Sequence, residues 1–178
     1  MKTYQFTLIV DGPDLQTDEL IDSLYEAGCD DALVGRTDSV QYLDFDRQAT
    51  SIDEAILSAV ADIELIDGLE VIRLADAGLV AMADIAVRTG RTRESVRLLV
   101  AGDRGPGGFP APATDPRGRY RLWRWPDVER WFATELGDNP PGTDDHLVAA
   151  INAGLELRHH GRRITPERET DLRELVGL

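Results

Sequence analysis

Between Tyr4 and Val10 apolar and polar positions alternate, with Tyr4, Phe6, Leu8 and Val10 on one parity and Gln5 and Thr7 on the other. That period of two predicts a strand with one face toward a core. Thr17 then precedes Asp18 and Glu19, a capping hydroxyl followed by carboxylates that suit the positive end of a helix dipole. Leu20, Ile21, Leu24 and Tyr25 form the apolar stripe of this helix, and Gly28 stops it. Two short runs, Ala32 to Val34 and Gln41 to Phe45, are joined through Gly35 to Ser39 and read as a hairpin. Ser51 and Glu54 have capping-box spacing, and Ile52, Ala55, Ile56, Ala59, Val60 and Ile63 follow at helical intervals. Asp67 and Gly68 end that helix, and Leu69 to Leu74 supplies a last strand.

The order βαββαβ is the split arrangement of ferredoxin-like domains, predicted here for residues 1–76. From Val80 the pattern shifts to two short helices. Met82, Ile85, Ala86 and Val87 mark the first, Gly90 breaks it, and Thr92 caps the second, whose Val96, Leu99 and Val100 form an inward stripe. The outward positions of that second helix, about 92–101, are Arg93, Glu94 and Arg97, with the two arginines one turn apart. A DNA major groove accepts such a surface, because Arg forks two donors onto guanine and Glu accepts from cytosine. Residues 102–112 hold too much Gly and Pro to continue a helix. A loop tip at Asp115 to Gly118 leads into the alternating run Arg119 to Arg124, which predicts a basic β-wing over about 113–124 with Tyr120, Leu122 and, as a further candidate, Trp123 against the body. Pro126 and Asp127 open a helix whose Val128, Trp131 and Phe132 face inward. Leu136 to Gly142 reads as a linker before a helical tail, 143–178, with one stripe of Leu147, Val148, Ile151 and Leu155 and another of Leu172, Leu175 and Val176. Such stripes serve either a homodimer seam or cover for the protein's own body.

Composition adds the class: 42% apolar and 29% charged residues describe a folded α+β protein rather than a disordered chain. No apolar run approaches the roughly 18 residues of a membrane span, and Met1 to Val10 reads as a strand rather than a signal peptide. The single Cys29 forms no intramolecular disulfide and fits a reducing interior, so the expected location is cytoplasmic. The net charge of −14 argues against a nucleic-acid partner only as an average. Residues 1–78 hold 4 Lys and Arg against 18 Asp and Glu, residues 79–133 hold 10 against 6, and residues 134–178 hold 5 against 9. A basic middle between acidic flanks implies modules that face different partners. Asp11, Asp14, Asp18, Asp22, Asp30 and Asp31 are then a solvated surface, a docking face for a basic protein, a mimic of nucleic-acid charge or a metal cluster.

The run Ile85-Ala86, Gly90-Arg91-Thr92-Arg93-Glu94-Ser95-Val96-Arg97, Phe109-Pro110-Ala111-Pro112, Leu122-Trp123-Arg124 and Asp127-Val128-Glu129-Arg130-Trp131 resembles the winged helix-turn-helix of the MerR superfamily, closest to its excisionase and AlpA-like branch. The likeness covers residues 79–133, within a winged domain of 79–136. It implies binding of double-stranded DNA, and a transcriptional regulator, through Arg91, Thr92, Arg93, Glu94 and Arg97 at the recognition helix and Arg117, Arg119, Arg121 and Arg124 at the wing. An acidic domain in front and a longer glycine-rich approach to the wing depart from that branch. The competing reading is an antitoxin-like or adaptor module whose residues 1–76 engage a basic partner. No catalytic set is legible: His146, His159 and His160 lack the spacing of a zinc site, and no Gly-x-Ser-x-Gly motif occurs, so neither enzyme activity, metal nor cofactor is expected.

Overall fold

The alternation at the start of the chain builds β1 (Lys2–Asp11), an interior strand of an antiparallel sheet. The computed structural model describes residues 1–75, 78–138 and 145–177 of this mixed α+β protein. After β1 come α1 (Asp18–Glu26), β2 (Ala32–Thr37), β3 (Val40–Ala49), α2 (Ile52–Glu64) and β4 (Glu70–Leu74). The strands lie in the order β2-β3-β1-β4. Leu8 stands opposite Leu43 and Phe6 opposite Phe45, so the period of two puts Leu8, Val10, Leu43 and Phe45 on one face. Ala55, Ile56, Ala59, Val60 and Ile63 of α2 and Leu24 of α1 are buried with them. Among the described residues no helix is long and apolar enough to cross a membrane.

Two local expectations are corrected. Of the stripe predicted for α1 only Leu24 is buried, while Ile21 and Tyr25 are exposed. Leu15, ahead of the helix, is fully buried instead, with its N–H donating to Gln41 Oε1 at 2.8 Å. The hairpin turn is also shorter than predicted, because Thr37 already pairs with Val40 and only Asp38 and Ser39 remain in it. Asp38 adopts φ 54°, the left-handed region that Asp tolerates in tight turns. Gly35 stays inside β2, where a Cβ would collide with the Tyr42 ring.

One charged side chain is buried on the apolar side of the sheet among the described residues. Arg47 of β3 is 6% exposed and uses all of its donors: Nε and Nη2 on Asp31 at 3.0 and 2.9 Å, Nη2 on the Gly28 carbonyl at 2.7 Å, and Nη1 on Asp62 at 2.7 Å and Ser58 at 3.1 Å. Burial opposes its charge, yet the hydrogen bonds to Asp31 and Asp62 outweigh that and hold its pKa above the usual value. Beside it, burial pushes the Cys29 thiol up to about 11, against the pull of the Arg47 charge.

By contact the chain forms two units, Met1–Ala75 with Ala150–Leu178, and Asp76–Ala149. The first unit therefore includes most of α6 (Asp145–Gly161) and all of α7 (Pro166–Val176), which the sequence sets apart as a tail. The reason lies at β4, an outer strand whose outward main-chain groups need partners. Glu64 accepts the Val71 N–H at 3.0 Å, Arg158 donates to the Val71 carbonyl at 3.0 Å while forking Glu64, and Asn152 Oδ1 accepts the Leu74 N–H at 2.7 Å. Leu155 is buried as predicted, whereas Leu172 and Leu175 are exposed. The linker residues 139–142, the first residues of the predicted tail, 143 and 144, and the Val176 side chain lie outside the described residues.

The second unit holds β5 (Leu79–Ala81), α3 (Met82–Arg88), α4 (Arg93–Ala101), β6 (Leu122–Arg124) and α5 (Trp125–Leu136). β5 and β6 pair antiparallel with Val80 opposite Trp123. Around that pair Ile85, Ala86, Val96, Leu99, Trp125, Val128, Trp131 and Phe132 form one core.

Replacing Arg47 by Met is expected to destabilise the fold by about 3 kcal/mol, the lower end for breaking a buried ion pair because Asp31 and Asp62 keep some water contact; urea unfolding measures it. The raised thiol pKa gives a second test. A folded value above the unfolded one means that the protonated thiol favours the fold at neutral pH and that this contribution fades as pH climbs from about 9 toward 11. Wild-type stability should fall over that window more steeply than that of Cys29→Ala, and equal slopes would contradict the assignment.

Candidate nucleic-acid interface

The outward basic groups of the second unit are set by three caps. At its start α3 is held by Asp84, whose carboxylate accepts the Ala81 N–H at 2.8 Å. At its end Gly90 takes φ 64°, the Arg91 N–H returns to the Ala86 carbonyl at 2.9 Å, and the Gly90 N–H to Val87 at 3.2 Å. This closure needs a residue without a Cβ at the left-handed position. Thr92 then caps α4, its hydroxyl accepting the Ser95 N–H at 3.1 Å, so the predicted contact residue Thr92 already has a structural task. With that start, Val96 and Leu99 point into the core and Arg93, Glu94 and Arg97 stand exposed on the opposite side.

These three differ in state. Arg97 forks Glu94, with Nε 3.0 Å from both carboxylate oxygens and Nη2 at 2.9 Å from one. The hydrogen bonds hold the Glu94 carboxyl below its usual range and raise Arg97, so the pair is ionised at neutral pH. Among the described residues no ion pair involves Arg93 or Arg124. Arg91 is half-buried, bonds Asp138 and lies 5.5 Å over the Phe132 ring, which ties the turn before α4 to the end of α5.

Arg117, Arg119 and Arg121 come from the loop before β6. The Gly118 N–H closes a turn onto Asp115 at 2.9 Å, and Arg117 bonds the Asp115 carboxylate with its own N–H and its guanidinium, which lowers that carboxyl's pKa. Arg119 lies 5.4 Å over Tyr120 and Arg121 5.5 Å over Trp123. The predicted alternation along 119–124 is corrected here. β6 spans only Leu122–Arg124, Trp123 is buried, and Tyr120 is 77% exposed. Three residues cannot extend the period of two back to position 120, and the largest ring takes the inward site opposite Val80. Val87 of α3 is 82% exposed.

The glycine-rich run 102–112 is fastened by aromatic groups. Phe109 lies 4.9 Å from Trp131 and 6.3 Å from both Trp123 and Phe132. Trp123 Nε1 donates to the Pro110 carbonyl and Trp131 Nε1 to the Gly107 carbonyl, each at 3.1 Å. Sequence reasoning overlooked Arg88, which stacks 4.9 Å over Trp125. Its one signal was a cation in the last turn of a helix.

The arrangement leaves two groups of arginines, on α4 and on the loop before β6, carried by one small core. No family model matches the chain, and searches of curated proteins and solved structures also find no match.

Removing the aromatic anchor should loosen this unit. Phe109→Ala is expected to cost about 3 kcal/mol, low in the range for a buried aromatic because Phe109 is only partly covered. Tryptophan fluorescence during urea unfolding reads it directly, since all three tryptophans belong to this unit. Unchanged stability would show that the two indole bonds hold the run alone.

Proposed function

We propose that the second unit is a winged helix-turn-helix of MerR-like type that binds double-stranded DNA, and that the protein is a sequence-specific DNA-binding regulator. The observation that carries the reading is α4: its inner side is fixed by Val96 and Leu99, and its solvent side presents Arg93 and Arg97 one turn apart. Arg93 is the leading candidate for base contact, because no acid neutralises it among the described residues. Arg97 must leave Glu94 or carry it into the groove. Arg117, Arg119, Arg121 and Arg124 supply phosphate contacts, which need charge and reach but no fixed strand. The first unit is then a ferredoxin-like sensor or interaction domain.

One observation favours the competing reading, docking of a basic protein on the first unit: neither α1 nor α2 contains a Lys or Arg. A footprint made by the purified protein alone supports the regulator, whereas copurification with a basic partner and no affinity for DNA supports the alternative.

With a site selected from genomic fragments, Arg93→Ala should weaken specific binding by roughly 1–3 kcal/mol and nonspecific binding much less. An equal loss on all sequences would make Arg93 a phosphate contact. Arg119→Ala should act on every duplex and reduce the slope of log affinity against log salt by about one unit. Fluorescence anisotropy at several salt concentrations measures both.

A further inference from the structure

The two outer strands of the sheet are treated differently. The outward groups of β4 are taken up by Glu64, Arg158 and Asn152. β2 has no such cover among the described residues. The Asp46 N–H bonds the Asp31 carbonyl at 3.0 Å, so the main-chain groups of residues 33 and 35 face β3 and those of 32, 34 and 36 face away from it. Of these outward groups only the Ala32 N–H has a partner among the described residues, the Cys29 carbonyl at 3.1 Å. The strand also lacks the Lys, Pro or bulge with which exposed edges are commonly blunted.

The geometry points to β2 as a two-fold interface that pairs antiparallel with β2 of a second copy of this chain. The strand is complementary to itself. Centred on Val34, such pairing places Leu33 opposite the partner subunit's Gly35. Leu33 is 70% exposed, and Gly35 is the position where the Tyr42 ring fills the space of a side chain. Each copy therefore offers an apolar knob and a glycine beside an aromatic ring, in the order that antiparallel pairing requires. Charge is divided: Arg36 stands opposite the partner subunit's Ala32, next to its Asp31, while Asp38 of the turn stands opposite its Asp30. Arg36 engages Asp14 and Gln41 through Nη2 alone, which leaves its other donors for that contact. Val34 N–H to the partner's Val34 carbonyl and Arg36 N–H to the partner's Ala32 carbonyl, each made twice, give about four main-chain hydrogen bonds.

This inference does not rest on DNA binding, and its test uses the full chain without DNA. Sedimentation equilibrium should show a dimer whose dissociation constant rises by about tenfold or more on Leu33→Lys, a change at an exposed position that leaves the circular dichroism unaltered. Val34→Cys should form a disulfide-linked dimer under mild oxidation, while the wild type, with only the buried Cys29, should not. A monomer at every concentration, a dimer indifferent to Leu33→Lys, or a Val34→Cys variant that folds normally yet forms no cross-link would each overturn it. DNA binding by such a monomer would leave the proposed function standing.

Discussion

Arg47 presents five N–H donors within residues 1–78, which hold 4 Lys and Arg, and every donor nitrogen ends on a protein acceptor. Those acceptors come from three places: Asp31 just before β2, the Gly28 carbonyl after α1, and Ser58 and Asp62 on α2. One guanidinium thus fixes where both helices sit against β3. A hydrophobic contact could not do this, because dispersion has no direction whereas a planar fork accepts few arrangements. The same charge accounts for two buried-side carboxylates that would otherwise repel each other. The acidity of residues 1–78 is in this sense structured around its scarce arginines, and the C-terminal helices add more: Arg158 reaches Glu64, Arg162 lies 3.2 Å from Glu70, and Arg163 3.6 Å from Asp11.

The second unit solves the opposite problem. Its residues 79–133 carry an excess of arginine and are rich in glycine, so little of its order can come from local propensity. Three tryptophans and two phenylalanines provide bulk in a core of few residues, and two indole N–H groups hold the glycine-rich run by its carbonyls. Rigid support beneath an exposed charged face keeps arginines available without requiring them to stabilise the fold. Arg97 and Arg117, paired to neighbours at most three positions away, are free to exchange those partners for others because both pairs are solvated.

Much of this was legible along the chain. The capping residues Thr17, Ser51 and Thr92 all accept the N–H three positions on, as their spacing predicts, and the order of strands and helices in residues 1–74 follows the hydrophobic period. Legibility failed where a local pattern was too short or where a partner was remote. Ile21 and Tyr25 fit an apolar stripe but face water, since periodicity says which residues share a side and not whether anything covers it. Tyr120 followed an alternation that its backbone does not continue. Nothing beside Arg47 in the sequence marks its role, because Asp31, Ser58 and Asp62 lie 11 to 16 positions away. The separation between Arg158 and Glu64 is 94 positions, beyond any periodic signal. At the candidate interface Arg97 differs from Arg93 through a spacing: Glu94 lies three positions before Arg97, and no acid lies three or four positions from Arg93.

The seal on β4 has a consequence for synthesis. Asn152 and Arg158 emerge from the ribosome after the whole of the second unit, so the first unit is discontinuous, with another fold inserted before its closing helices. During translation the sheet's outer strand stays uncapped while β5 to α5 are made, and the inserted unit can reach its final structure first. The long loop this closes slows completion of the first unit through its entropy. Over that interval the growing chain carries an open strand edge, and its exposure to aggregation is set by the time taken to translate the insert.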